Sequence, residues 1–203
     1  MSATPTPKRL LVACEYSGVV RDAFARRGWF AMSCDLLPTE SPGPHHQGDV
    51  LEILDQGWDL IIAHPPCTYL CASGMHWTKR GLRDPQKTED ALRFVQALLS
   101  APCDRIALEN PVGVISTRIR KPDCAVQPWQ FGHPESKKTC LWLKNLPALI
   151  PTDVLPKPAT GRWANQTVSG QNKLGASVKD RWSIRSRTHT GIAAAMASQW
   201  GDL

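Results

Sequence analysis

Cys67 directly follows Pro65-Pro66, and Glu109 is directly followed by Asn110-Pro111. Proline fixes its own φ and has no N–H to donate, so it ends a strand and holds the adjoining side chain stiffly. A cysteine held in this way is a candidate nucleophile, and a glutamate held in this way can carry a proton for the same step. Taken alone, Cys67 reads first as an inert buried thiol, because cysteine is among the most buried residue types. Glu109, ending a second apolar run in the same manner, moves the reading towards covalent catalysis. Cys67, Cys71 and His76 also have ligand chemistry, but their spacing matches no usual zinc pattern, so no metal is expected. His45-His46 reads as a surface pair in a loop.

These residues need elements to position them. Lys8–Cys14 is a buried-strand pattern, followed by the turn Glu15-Tyr16-Ser17-Gly18 and a helix from Val19 to about Arg27, stopped by Gly28. Trp29–Cys34 is a second strand with Asp35 at its end, and Leu36–Gln47 is a proline-rich loop. Trp58–Ala63 is a third strand. Asp84-Pro85 opens the clearest helix, whose stripe of Ala91, Leu92, Phe94, Val95, Leu98 and Leu99 runs to Ser100. Arg105–Leu108 and Thr139–Leu143 are further strands, and Gly191–Trp200 is a closing helix. Strand, helix, strand in this order predicts an α/β fold: one domain with a doubly wound, mostly parallel sheet. Ligands of such sheets sit beyond the carboxyl ends of the strands, where Glu15, Asp35, His64 to Cys67 and Glu109 fall.

Composition bounds the rest. The 203 residues are 42% apolar and 21% charged, which excludes a wholly disordered chain, a collagen-like repeat and a coiled coil. No apolar run approaches the ~20 residues of a membrane span, and the first residues lack an apolar signal core, so a cytoplasmic protein is expected. Seven cysteines without paired spacing read as reduced thiols. The net charge is +6, and residues 151–203 hold seven Lys or Arg against three Asp. That basic stretch (Lys157, Arg162, Lys173, Lys179, Arg181, Arg185, Arg187) suits a polyanion or a phosphate. Residues 1–150 read as the core, 151–190 as a loop-rich basic segment and 191–203 as the helix that closes the core.

The same residues resemble the S-adenosylmethionine-dependent cytosine carbon-5 methyltransferases. Pro65-Pro66-Cys67 is similar to the family's Pro-Cys nucleophile motif, and Glu109-Asn110 to its Glu-Asn motif. Gly132-His133-Pro134-Glu135-Ser136-Lys137 resembles its Gly-x-Pro-Gln-x-Arg-x-Arg segment, and Gly48-Asp49-Val50 its Gly-Asp-Ile turn. The resemblance covers about Leu10 to Leu143. It implies a Rossmann-like methyltransferase fold, with Cys67 adding to cytosine carbon 6 and Glu109 stabilising a proton on ring nitrogen 3. The cofactor would be held by Glu15, Tyr16, Ser17, Gly18, Asp35, Asp49 and Pro65. The substrate would meet Pro66, Asn110, Lys137, Lys138, Arg185 and Arg187.

The departures are specific. The family's Phe-x-Gly-x-Gly loop aligns with Ala13, Glu15 and Ser17, with Gly18 nearby. Pro111 stands for Val, Glu135 for Gln, Lys137 for the first Arg and Thr139 for the second. The family's DNA enzymes carry a recognition region before the closing helix, and here that gap is short, similar to short phage-encoded forms. The implied substrate is DNA with short or relaxed specificity, or a free deoxycytidine nucleotide; a monomer is expected. Trp77-Thr78-Lys79-Arg80 reads as a loop that approaches a duplex or closes the site. Two further readings stay open: an exocyclic amino methyltransferase built on His64-Pro65-Pro66, and a module that binds cofactor or nucleic acid without catalysis.

Overall fold

Seven strands form one sheet in the order β3-β2-β1-β4-β5-β7-β6. In this computed structural model residues 6–169, 172–174 and 181–203 are described. The strands are β1 (Arg9–Ala13), β2 (Phe30–Asp35), β3 (His45–Gln47), β4 (Leu60–Ala63), β5 (Ile106–Pro111), β6 (Cys124–Val126) and β7 (Thr139–Lys144). β1 pairs in parallel with both β2 and β4, and β4 in parallel with β5. β7 is inserted antiparallel to both β5 and β6. The chain leaves β1 towards β2 and β3, then returns to build β4 and β5 on the other side. That reversal puts the topological switch point between β1 and β4. The expected doubly wound, Rossmann-like sheet is the observed one.

The apolar runs are continuous because both faces of the sheet are covered. Leu10, Val12, Leu60 and Ile62 pack on one face with helices α1 (Val19–Ala25) and α6 (Thr190–Trp200), where Trp200 is fully buried. Leu11, Ala13, Ile61 and Ala63 pack on the other face against Leu92, Val95 and Leu98 of α3 (Gln86–Leu99). α3 starts as its sequence predicts: Asp84 Oδ1 accepts the Gln86 N–H at 2.9 Å, and Pro85 precedes the first turn.

Several short elements differ from the sequence reading. The proline-rich stretch contains β3, and His45 is no free surface residue: its ring bridges the Ser33 hydroxyl at 2.9 Å and the Leu37 carbonyl at 3.0 Å. Trp77-Thr78-Lys79 lies in helix α2 (Ala72–Lys79), and Arg181–Ser186 forms helix α5 within the stretch expected as loop. A four-residue helix, α4, spans Ile115–Arg118. Elements of three to eight residues carry too few periodic positions to be read from pattern alone. Lys179, one of the expected basic residues, lies outside the described residues. Among the described residues no helix is long and apolar enough to cross a membrane.

Candidate active site

The register of the sheet builds the site. Ala63 of β4 pairs with Leu108 of β5, so the next two residues, His64 and Glu109, stand side by side. Side chains alternate along a strand, which sends both to the face occupied by Ile62 and Ala107. They meet: His64 Nδ1 and Glu109 Oε2 are 2.8 Å apart, with side chains 9% and 17% exposed. The His64 N–H extends the β1–β4 ladder by donating to the Ala13 carbonyl at 2.9 Å, and Pro65 ends it.

Cys67 comes next on a single 3-10 turn, Cys67–Tyr69, and is exposed. The turn is pinned on both sides, by β5 with its trailing loop and by the start of α2. Asn110 Nδ2 donates to the Pro65 carbonyl at 2.7 Å, Ala72 N–H to the Val112 carbonyl at 2.9 Å, and Val114 N–H to the Leu70 carbonyl at 2.8 Å. Gly113 permits this clamp, since a Cβ there would stand 1.9 Å from the Leu70 oxygen. Arg83 adds a bond to the Thr68 carbonyl at 2.8 Å.

The ionisable groups are strongly perturbed. Burial raises the pKa of Glu109, but the His64 hydrogen bond, followed by the charges of His64 and Lys137, outweighs it and holds the carboxyl below its ordinary range. Glu109 is therefore an ionised carboxylate at neutral pH. Cys67 and Cys71 form a coupled pair. Hydrogen bonding to Cys71 raises the Cys67 pKa, with burial and nearby negative charge adding to the effect while Lys137 opposes it. Cys71 goes the other way, because its sulfur accepts from Cys67, Ser73 and the Gly74 N–H at the start of α2. The contact between the two sulfurs thus lowers one thiol at the expense of the other.

Two clefts flank the His64–Glu109 pair. The first, an open cleft at the switch point, is lined by Cys14, Glu15, Tyr16, Ser17, His64 and the Ser186–Thr188 segment. The second, narrower, is lined by Glu109, Lys137, Thr139, His189 and the α6 residues Ile192 and Met196. Thr188 borders both. The segment after α5 is tied across the first cleft by the Arg187–Glu40 ion pair at 2.8 Å and the Tyr16–Ser186 hydroxyl contact at 3.1 Å.

Of the residues expected at a cofactor, Tyr16, Ser17 and Glu15 line the first cleft, but Glu15 also has a structural task. Its carboxylate, 4% exposed, accepts the Val20 and Arg21 N–H groups at 2.7 and 3.2 Å and the Ser17 hydroxyl at 3.3 Å. It caps the start of α1, where a glycine-rich loop would leave the N–H groups to a bound anion. Gly18 adopts φ +75, and a Cβ there would come within 2.5 Å of the Arg21 guanidinium. Asp35 accepts the Leu37 N–H and Asp49 the Leu51 N–H, both at 3.0 Å at strand-end turns. Pro65 is buried and Pro66 exposed.

The residues expected at a substrate separate. Lys137 lines the second cleft, and its ammonium donates to the Arg185 carbonyl at 2.8 Å. Neither Lys138 nor Arg185 is among the residues that line that cleft, and Arg185 is exposed, while Arg187 lines the first cleft. Asn110 is 1% exposed and holds the Cys67 turn. Sequence reasoning missed three participants: His64 as the partner of Glu109, Cys71 as the partner of Cys67, and the buried Arg21. The signal for His64 was available, since it ends an apolar run before proline just as Glu109 does. Among the described residues no group of three or more His, Cys, Asp or Glu is arranged to hold a metal ion.

No protein-family model and no curated protein matches the sequence. Among solved structures, the chain is similar to an Escherichia coli prophage-encoded protein described as a DNA modification methyltransferase. Identity is 14% and the TM-score 0.48, over 76% of this chain and 53% of that one. The chain thus spans about half the length of that structure. At this level the likeness bears on neither activity nor substrate.

Proposed function

We propose that the protein is an S-adenosylmethionine-dependent methyltransferase acting on carbon 5 of cytosine in DNA, through a covalent adduct on Cys67. The observation that supports this reading is an exposed thiol on a pinned turn, within electrostatic reach of the Glu109 carboxylate and the Lys137 ammonium. The lining of the first cleft suits the cofactor. Ser17, Tyr16 and the Arg187 guanidinium offer polar partners to its amino-acid end, and Asp35 and Asp49 lie at the ends of β2 and β3 for ribose and adenine. When bound, S-adenosylmethionine supplies a sulfonium methyl group.

The chain's own residues do the rest. Cytosine carbon 5 is too weak a nucleophile unless the ring becomes an enamine. Cys71 takes the Cys67 proton, and the Cys67 sulfur bonds to carbon 6. Glu109 holds a proton at ring nitrogen 3 while Lys137 offsets the negative charge that the addition places on the ring. After methylation water takes the carbon-5 proton, the carbon–sulfur bond breaks, and Cys67 leaves and recovers its proton from Cys71. In a duplex the base must first leave the stack, at a cost of a few kcal/mol.

A second reading keeps the chemistry and changes the substrate to a free deoxycytidine nucleotide. The observation that favours it is the short connection between Lys144 and Thr190, in which the described residues form only α5 and loops. Incubation with methyl-tritiated S-adenosylmethionine and either duplex DNA or deoxycytidine mono- and triphosphates separates the two. Label in 5-methylcytosine from DNA is expected. Label only in free nucleotide selects the second reading, and label in N4-methylcytosine or in neither substrate rejects both.

A further inference from the structure

We propose that His64 is a proton-relay residue, joining the two clefts by passing protons to and from Glu109; the inference rests on the cytosine reading above. Glu109 is an ionised acceptor, so the hydrogen in the 2.8 Å contact belongs to His64 Nδ1. With that hydrogen on Nδ1, Nε2 is the ring's other position for a proton. That atom is buried and has no hydrogen-bond partner, on a side chain 9% exposed that lines the first cleft. Glu109 lines the second cleft. The ring therefore spans from one cleft to the carboxylate of the other. A residue needed only to hold Glu109 gains nothing from a bare nitrogen buried at its far edge, because a desolvated polar atom without a partner is a cost.

The proton balance calls for such a relay. When Cys67 adds to carbon 6, ring nitrogen 3 takes up a proton that an ionised Glu109 does not possess. His64 Nδ1 gives its proton to Glu109, which passes it to nitrogen 3, while Nε2 takes one from water in the first cleft. On elimination the nitrogen 3 proton returns through Glu109 to Nδ1, and Nε2 releases its own to water. This loop closes with no net transfer, and the one proton lost overall is the carbon-5 hydrogen.

The test uses the full chain without cofactor. In deuterated water the enamine takes deuterium at carbon 5 and loses the original hydrogen, so exchange into duplex DNA reports ring activation alone. His64→Gln retains an amide N–H for Glu109 but cannot exchange protons. Its exchange rate is expected to fall about 100-fold with DNA affinity unchanged. In His64→Ala, added imidazole is expected to restore much of the lost rate, which it would not do for a merely structural residue. Nitrogen-15 NMR of histidine-labelled protein should show the Nδ1–H tautomer for His64. Wild-type exchange in His64→Gln, no imidazole rescue in a His64→Ala protein that binds DNA normally, or an Nε2–H tautomer overturns the relay alone. A wild-type protein that neither exchanges nor methylates overturns the cytosine reading and the relay with it.

Discussion

Removing the buried guanidinium of Arg21 tests how the first cleft is held. Arg21 is fully buried and its donors are used throughout: Nε to Asp22 at 2.8 Å, Nη1 to Ser33 and Thr39 at 3.1 and 3.2 Å, and Nη2 to the Ser41 and Pro42 carbonyls at 2.9 and 3.2 Å. These bonds pin the loop between β2 and β3, whose Glu40 N–H meets the Tyr16 carbonyl and whose carboxylate meets Arg187. Arg21→Met keeps the stem and deletes the charge. Breaking a buried charged network costs about 3–5 kcal/mol, and the lower end applies because the stranded Asp22 is 31% exposed and can hydrate. At ~2–4 °C per kcal/mol for a chain of this size, melting should fall by roughly 6–12 °C. Arg21→Lys should recover less than half of the loss, because a point charge cannot serve five acceptors in a planar fork. Thermal unfolding followed by circular dichroism gives the shift, and calorimetry with S-adenosylmethionine should show weakened binding. If Arg21→Met melts within about 2 °C of the wild type, the loop is held by something else and the argument fails.

Three further outcomes are expected at the site. Asn110→Ala frees the Pro65 carbonyl and loosens the Cys67 turn, so methyl transfer should fall at least tenfold with cofactor affinity unchanged; an unaltered single-turnover rate would contradict the pinning. Cys71→Ser removes the hydrogen bond and the negative charge that raise the Cys67 pKa, so alkylation of Cys67 by iodoacetamide at pH 7 should quicken, with a pH dependence moved down towards the ordinary thiol range. An unchanged rate across that range would refute the coupling. Because the folded-state pKa of Glu109 is depressed, its contribution to stability is fully present above the unfolded value of about 4.3 and is lost as pH falls through the folded value. Urea unfolding of Glu109→Gln should show a flatter dependence on pH below that point, and an identical acid limb in the variant would count against it.

The strand ends were legible because they rest on strong local signals. Continuous apolar runs with Pro65-Pro66 or Glu109-Asn110-Pro111 behind them mark where β4 and its parallel pairing with β5 stop, although β5 itself runs on through Glu109 and Asn110 to Pro111 against β7. The contact between His64 and Glu109 was not legible, since it depends on parallel register between strands 45 residues apart, which no local pattern carries. Glu15 shows the same limit in reverse. Its type and place suggested a cofactor contact, while its carboxylate reaches five and six residues onward to cap α1. Arg21 is tolerated in the interior because the β2–β3 loop folds over it and brings three acceptors, Thr39, Ser41 and Pro42, to join Asp22 and Ser33. The short elements β3, β6 and α5 are products of tertiary pairing rather than of propensity.

The central claim is the covalent adduct between Cys67 and cytosine. Duplex DNA carrying 5-fluorocytosine tests it most directly, because fluorine at carbon 5 cannot leave as a proton and the ring stays bonded to the attacking sulfur. With S-adenosylmethionine present, the wild type should give a protein–DNA species stable to denaturing gel electrophoresis, with the cross-link mapped to Cys67 by mass spectrometry. Cys67→Ser should give none. Methylation of ordinary cytosine by the wild type with no trapped species, or full turnover by Cys67→Ser, would contradict the account.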